Sequence, residues 1–331
     1  MSEGVAQRRV LVVGRDYFFY TQEIISEMRR TFGAHITFVP ITPPRLVWRI
    51  LELLGSGIAI RWLERYHHSF IRRFSKERFD VVLFIQVHQI GHLVRIYREA
   101  LSGARFVLYY WDSLRTHDYL PYVGYFDQVF SFDPQDVGKH PELRYLPLFY
   151  ATRFRELRAP GRRSWDLAFV GVASSMRRYE QLAAFEDWAR HSGLRFNKYL
   201  VVSPIFFLRM LLRGRRLRSV HFRWLAPEQV VDIYRSAVAI VDLPNNSQSG
   251  FTMRTFEALG AHRKLITTNE AILKEDFHTR ESIYVIGGSH GDFPDLSFLE
   301  SEPVFSPALE GYCIRKWVSA LMGWALPGEG R

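Results

Sequence analysis

Hydrophobic positions along the chain fall into two successive series of short apolar runs separated by helical spacing. Arg9-Val10-Leu11-Val12-Val13 is the kind of run that forms a strand buried on both faces, and residues 21–32 then carry apolar positions at helical spacing. Gly14, between them, permits a tight turn. A second run at 35–40, an amphipathic region at 46–74 broken at Gly55-Ser56-Gly57, and runs at 79–85, 105–110 and 128–132 continue the series. An arginine-rich segment at 151–164, with Pro160-Gly161, reads as a linker. The alternation then restarts, with strands at 166–171, 195–202, 237–241, 264–267 and 282–286. Helices are expected at 176–192, 227–235, 252–261 and 311–326. Such alternation predicts parallel strands joined by helical crossovers. The expected architecture is α/β, two Rossmann-like domains facing a central cleft, with domains at 1–155 and 156–310 and a terminal helix and tail at 311–331.

Composition narrows the class. With 47% hydrophobic and 24% charged residues in 331, the chain is neither disordered nor built around a membrane-spanning run. Val10–Val13 is too short for a signal-peptide core, and the single Cys313 excludes an internal disulfide or a cysteine-cluster zinc site. A soluble protein of a reducing compartment is expected. The net charge of +10 is unevenly spread. Residues 188–227 contain no Asp or Glu but hold Arg190, Arg195, Lys198, Arg209, Arg213, Arg215, Arg216, Arg218 and Arg223. Like charges repel unless something anionic lies nearby, so an anionic partner is expected.

In open parallel sheets, ligands bind beyond the carboxyl ends of the strands. In the first half those positions hold Gly14-Arg15-Asp16, Gln86-Val87-His88, Trp111-Asp112-Ser113 and Asp133-Pro134. In the second they hold Gly171-Val172-Ala173-Ser174, Asp242-Leu243-Pro244 and Thr268-Asn269. The most informative segment runs from Asp242 through a loop of small residues to a helix starting near Thr252. The free N–H groups and positive dipole end of that helix favour an anion such as a diphosphate. Gly250 permits close approach, Arg254 offers a charge-assisted bond, and Glu257 is an acceptor suited to sugar hydroxyls. The same residues also read as a capped helix with a surface arginine and a helix-face glutamate; spacing alone does not decide.

The run Gln248-Ser249-Gly250-Phe251-Thr252-Met253-Arg254-Thr255-Phe256-Glu257-Ala258-Leu259-Gly260-Ala261, followed by Lys264-Leu265-Ile266-Thr267-Thr268-Asn269, resembles the donor-binding segment of GT-B glycosyltransferases. It is most similar to the bacterial lipopolysaccharide and capsule biosynthesis group related to the CgeB-type enzymes. Weaker similarities fall in the same order at Val10–Gly14, Tyr109–Ser113, Phe126–Asp133 and Trp224–Ala237, so the resemblance spans residues 9–286. It implies two Rossmann-like domains, with a nucleotide-sugar donor on the C-terminal one and a glycan or lipid-linked acceptor on the N-terminal one. It also implies that Glu257 matches the carboxylate on the nucleotide ribose. Gly250, Phe251 and Thr252 match the loop facing the diphosphate, and Gly171, Ser249 and Arg254 complete the expected donor set. Ser249 stands where many retaining members carry a second Glu, which leaves the stereochemical outcome open. No metal and no cofactor are implied. An inverting transfer needs a base from the opposing domain. Of Asp16, His88, Asp112 and Asp133, the carboxylates Asp16 and Asp112 are the expected catalytic pair. His88, with an ordinary pKa near neutrality, is the expected acceptor contact; it also reads as a plain core or surface histidine.

Residues 46–63 and 203–213 interleave Trp, Phe and aliphatic residues with Arg, the composition of interfacial helices at an anionic leaflet. The alternative is that both pack on a sheet. The expected place of work is therefore the cytoplasm, at the inner face of the cell membrane. A sugar-nucleotide epimerase or hydrolase on the same fold is the alternative activity. A nucleic-acid-binding role is not expected, because no recognisable motif accompanies the basic charge.

Overall fold

The computed structural model describes residues 8–15, 19–158, 163–173, 175–244, 249–287 and 293–327. The chain forms two compact units. One holds the described residues of Met1–Pro147, Ser247–Gly250 and Ile314–Arg331; the other holds those of Leu148–Asn246 and Phe251–Cys313.

The first unit contains β1 (Arg9–Gly14), α1 (Tyr20–Phe32), β2 (His35–Pro40), α2 (Arg45–Leu54), α3 (Ser56–Phe74), β3 (Val81–Ile85), α4 (Gly91–Ala100), β4 (Arg105–Tyr110), β5 (Gln128–Ser131), α5 (Pro134–Lys139) and β6 (Leu143–Tyr145). Its six-stranded sheet has the order β2-β1-β3-β4-β5-β6, every pairing parallel. A parallel sheet is covered on both faces, so its strands are apolar along their whole length: all five residues of β3 are buried. On one face Leu11, Val13, Phe84 and Leu108 pack with Leu63, Ile71 and Phe74 of α3 and Leu93, Val94 and Tyr97 of α4. Each such fully buried side chain contributes about 1.5–3 kcal/mol. Helix α1 stops at Gly33, whose φ of 61° lets its N–H reach back to the carbonyls of Met28 and Arg29.

The second unit contains α6 (Thr152–Arg155), β7 (Trp165–Val172), α7 (Met176–His191), β8 (Phe196–Val201), α8 (Pro204–Leu212), β9 (Val220–His221), α9 (Pro227–Ser236), β10 (Ala237–Asp242), α10 (Met253–Gly260), β11 (Lys264–Thr267), β12 (Ile283–Val285) and α11 (Leu296–Glu300). Its sheet has the order β12-β11-β10-β7-β8-β9 and is again parallel. The last helix, α12 (Ile314–Met322), belongs to the first unit: Trp317 sets its ring edge-on to Tyr109 and donates to the carbonyl of Pro147 at 2.9 Å. The expected terminal helix starts later than its apolar pattern, at Ile314, because 307–312 form a 3₁₀ turn.

Among the described residues, no helix is long and apolar enough to cross a membrane.

Candidate functional site

In each sheet the chain starts at an inner strand and winds outward both ways, so each has a point where strand order reverses: β1/β3 in the first unit and β7/β10 in the second. Crevices at the carboxyl ends of such strands are where open parallel sheets hold ligands.

In the second unit, Asp242 ends β10 and is 1% exposed. It accepts from the hydroxyls of Thr252 at 2.7 Å and Thr255 at 2.8 Å, and from Nη1 of Arg254. Arg254 also donates through Nε to the Val170 carbonyl at 2.8 Å, and its guanidinium lies over the Phe169 ring. Gly171 makes room for it: a Cβ there would lie 3.1 Å from an Arg254 nitrogen and 2.9 Å from the Phe169 ring. Thr252 caps α10, accepting from the N–H of Thr255, and Ser175 caps α7, accepting from that of Arg178. Two helix starts thus follow the two strands at the reversal point.

Arg178, in the first turn of α7, is the second guanidinium here. Among the described residues its buried Nε has no hydrogen-bond partner and its guanidinium forms no ion pair. Burial first, and then the positive charge of Arg254, push it down to about 10; Asp242 acts in the opposite sense. Two guanidiniums therefore share the field of one carboxylate, leaving an excess positive charge in a partly desolvated setting. Such an arrangement favours an incoming anion.

The other expected donor residues are placed as follows. Glu257, 5% exposed, accepts from the Tyr234 hydroxyl at 3.2 Å. Phe251 is buried against Phe256 and Phe277. Ser249 and Gly250 belong to the first unit. There Ser249 gives both its N–H (3.0 Å) and its hydroxyl to Asp133, and Gly250 lies so close to Phe132 that a Cβ would meet its carbonyl oxygen at 2.7 Å. The close approach that Gly250 allows is to the chain itself.

In the first unit, Gln86 and His88 follow β3, and Asp112 follows β4. Gln86 has φ of 65°, a left-handed backbone that costs a non-glycine residue about 1 kcal/mol. It turns its amide to donate to Asp112 Oδ2. His88 stacks on His117, centroids 4.4 Å apart and planes within 4°. Its buried Nδ1 has no hydrogen-bond partner among the described residues. Burial, then His117 and Arg15, push His88 down to about 4, so the ring is neutral near pH 7. Burial raises the Asp112 carboxyl, against the opposing effects of His117, Gln86 and Arg15. The structure thus brings Asp112 and His88 into one polar cluster with Gln86, His117 and Arg15. Asp16 lies outside the described residues. Burial acts to raise Asp133, but hydrogen bonds from Ser249 and Gln135 outweigh it and hold the carboxyl below its usual range.

Sequence reasoning missed Arg178 and His117. Each is an ordinary residue in a helix or loop until tertiary structure shows what it does or does not pair with. The available signal was position alone, one turn beyond the Gly171–Ser174 loop for Arg178 and five residues past Asp112 for His117.

Solved structures to which the chain is similar in fold include the following three. The apo form of the lipopolysaccharide outer core galactosyltransferase WaaB is 14% identical with a TM-score of 0.51, covering 96% of this chain and 100% of that one. Sucrose-phosphate synthase from Thermosynechococcus elongatus is 12% identical with a TM-score of 0.53, covering 96% of each chain. UDP-GlcNAc 2-epimerase from Neisseria meningitidis, bound to UDP-GlcNAc, is 9% identical with a TM-score of 0.50, covering 96% of this chain and 99% of that one. No protein-family model and no curated protein sequence matches the chain. The likeness is one of fold: two parallel six-stranded α/β units, the fold of GT-B glycosyltransferases.

Proposed function

We propose that this chain is a glycosyltransferase that moves a sugar from a nucleotide donor to a lipopolysaccharide, capsule or other surface glycan, in the manner of the CgeB-like bacterial group. The observation that carries this reading is the Arg178 guanidinium, buried at Nε without a partner beside Arg254 at the β7/β10 reversal point. A donor diphosphate set there would meet two guanidiniums and the starts of α7 and α10, which supply the neutralising charge a metal ion would otherwise provide. Glu257 would accept from the ribose hydroxyls through its carboxylate oxygens. In the first unit, Asp112 would act as base toward the acceptor hydroxyl, and the His88–His117 pair would border the acceptor beside it. The proposed setting is the cytoplasmic face of a membrane, with no cofactor and no nucleic acid involved.

The test is a thermal-shift panel of UDP, GDP, CMP, ADP and dTDP, with and without attached sugars, on the wild-type chain and on Arg178→Gln and Glu257→Ala. One nucleotide at a hundredfold excess over its Kd should stabilise the wild type by about 2.7 kcal/mol and both variants less. No shift with any nucleotide overturns the reading. Turnover of the donor without acceptor assigns the epimerase or hydrolase alternative instead.

A further inference from the structure

The acid-free segment of the second unit is less uniform than its sequence. Four of its nine cations find carboxylates, one within α7 and three on neighbouring elements: Arg190 with Asp187 inside the helix, then Arg195 with Asp166, Lys198 with Glu186 and Arg215 with Glu180. The other five, Arg209, Arg213, Arg216, Arg218 and Arg223, form no ion pair among the described residues and are all exposed. Arg209 and Arg213 lie on α8 and at its end, Arg216 and Arg218 in the segment that follows, and Arg223 just after β9; α8 itself carries an apolar ridge. On α8, Ile205 (70% exposed), Leu208 (55%) and Leu212 (80%) recur at helical spacing on one face. Met210 points inward and is buried. Phe222 and Trp224, just after β9, are also exposed. Below the ridge Met176, Phe206 and Met210, with Arg209, Arg213 and Arg215, line an open pocket of about 400 Å³.

We propose that α8 and the arginines around it form a docking surface for an anionic phospholipid bilayer, with the leucine ridge entering the acyl boundary and a lipid phosphate seated in the arginine-lined pocket. The combination of positive charge with an apolar stripe points to lipid rather than another polyanion. The five arginines that form no ion pair among the described residues complement an anionic headgroup layer. A stripe of Ile and Leu gains nothing against a nucleic-acid backbone, which would leave it in water, but gains its transfer free energy on entering hydrocarbon. The exposed face of α2 and α3 is the competing surface. It is apolar at Leu46, Ile50, Leu53 and Leu54, but it carries the exposed Glu52. The proposal does not rest on glycosyl transfer, because none of these residues lies in the proposed donor site.

Flotation of the full chain with phosphatidylcholine vesicles, with and without phosphatidylglycerol, at low and high salt tests it. Binding should require phosphatidylglycerol and weaken with salt. Arg213→Ala and Arg216→Ala should each weaken partitioning roughly fivefold. The double substitution Leu208→Ser/Leu212→Ser should weaken it at least about tenfold, and Ile50→Ser/Leu53→Ser should leave it unchanged. The arginine positions are exposed, so those variants keep the test decisive if the double serine variant folds poorly. Nucleotide-induced thermal shifts measured on the same variants separate failure of this proposal from failure of the donor site. The proposal is overturned by no vesicle binding, by equal binding to both vesicle types, or by loss only in the α2 variant. It is equally overturned if a single-stranded oligonucleotide binds in a way that depends on the arginines but not on the leucines.

Discussion

Arg254 donates through Nη1 to Asp242, a carboxylate only 1% exposed, and that pairing ties the start of α10 to the end of β10. The pair is embedded further by the Thr252 and Thr255 hydroxyls on Asp242 and by the Val170 carbonyl on Arg254 Nε. Breaking it from one side strands a buried carboxylate. Arg254→Ala should therefore cost about 3–5 kcal/mol of stability. Chemical denaturation of the variant against the wild type measures this, and a loss below about 1 kcal/mol would show that the pair is not the anchor described.

Arg178 should behave in the opposite way. Its guanidinium is desolvated and repelled by Arg254 without an ion-pair partner among the described residues, so Arg178→Gln removes a cost. Stability should stay level or rise slightly. Nucleotide affinity should fall by about one to two orders of magnitude, the value of about 1.5–3 kcal/mol for a hydrogen bond to a charged group. Calorimetric titration alongside a melting curve reads both. A variant that loses stability but keeps affinity would give Arg178 a purely structural part.

Asp112 is a first-unit carboxylate that burial raises and that Gln86 orients, and His88 and His117 stand beside it. A general base gains efficiency as its pKa climbs toward the working pH. Asp112→Asn preserves the shape and the contact with Gln86 if the amide flips to present its oxygen. It should lower kcat by about 10²- to 10⁴-fold while leaving donor affinity unchanged. Single-turnover release of nucleotide from donor, with acceptor glycan present, follows the first quantity, and calorimetry the second. Equal losses in both would place Asp112 in folding rather than chemistry.

Much of this architecture is legible in the sequence. The inner strands are continuous apolar runs, and β4 and β11 have the bounds that the pattern predicts. The strands that escape are β6 and β9, three and two residues long at the two sheet edges. They form because a neighbour offers a free edge, which leaves little trace in composition. Charge shows the same limit. The stretch from 188 to 227 reads as wholly unpaired, yet carboxylates from α7 and the start of β7 reach four of its cations. Arg263, for which the sequence pattern carries no signal, is 1% exposed and donates to the carbonyls of Tyr234, Ala261, His262 and Leu157. Helical spacing brings Arg254 to the site, whereas tertiary packing alone distinguishes it, already paired, from Arg178.

Acid should destabilise the first unit through His67. The ring is fully buried, its Nε2 lies 2.8 Å from the Ile41 carbonyl, and its Nδ1 lies 2.8 Å from the Tyr97 hydroxyl. A carbonyl oxygen can only accept, so Nε2 carries the proton and Tyr97 donates to Nδ1 in the neutral ring. Burial, against the favourable Ile41 bond and assisted by His92 and His68, pushes the group from its ordinary 6.5 down to about 4. Because the folded value is the lower one, the unfolded chain takes up a proton that the fold refuses between those limits. Stability is complete above about 6.5 and falls as pH drops toward 4, by on the order of 3 kcal/mol for this group. His88, also pushed down to about 4 but only partly buried, adds a smaller loss to the first unit over the same window, and His262 acts likewise on the second unit. Urea denaturation across that window should show proton uptake on unfolding, and His67→Gln should lower the uptake by about one proton. An unchanged slope in His67→Gln would mean that the folded ring accepts its proton, and the acid sensitivity would then have to come from elsewhere.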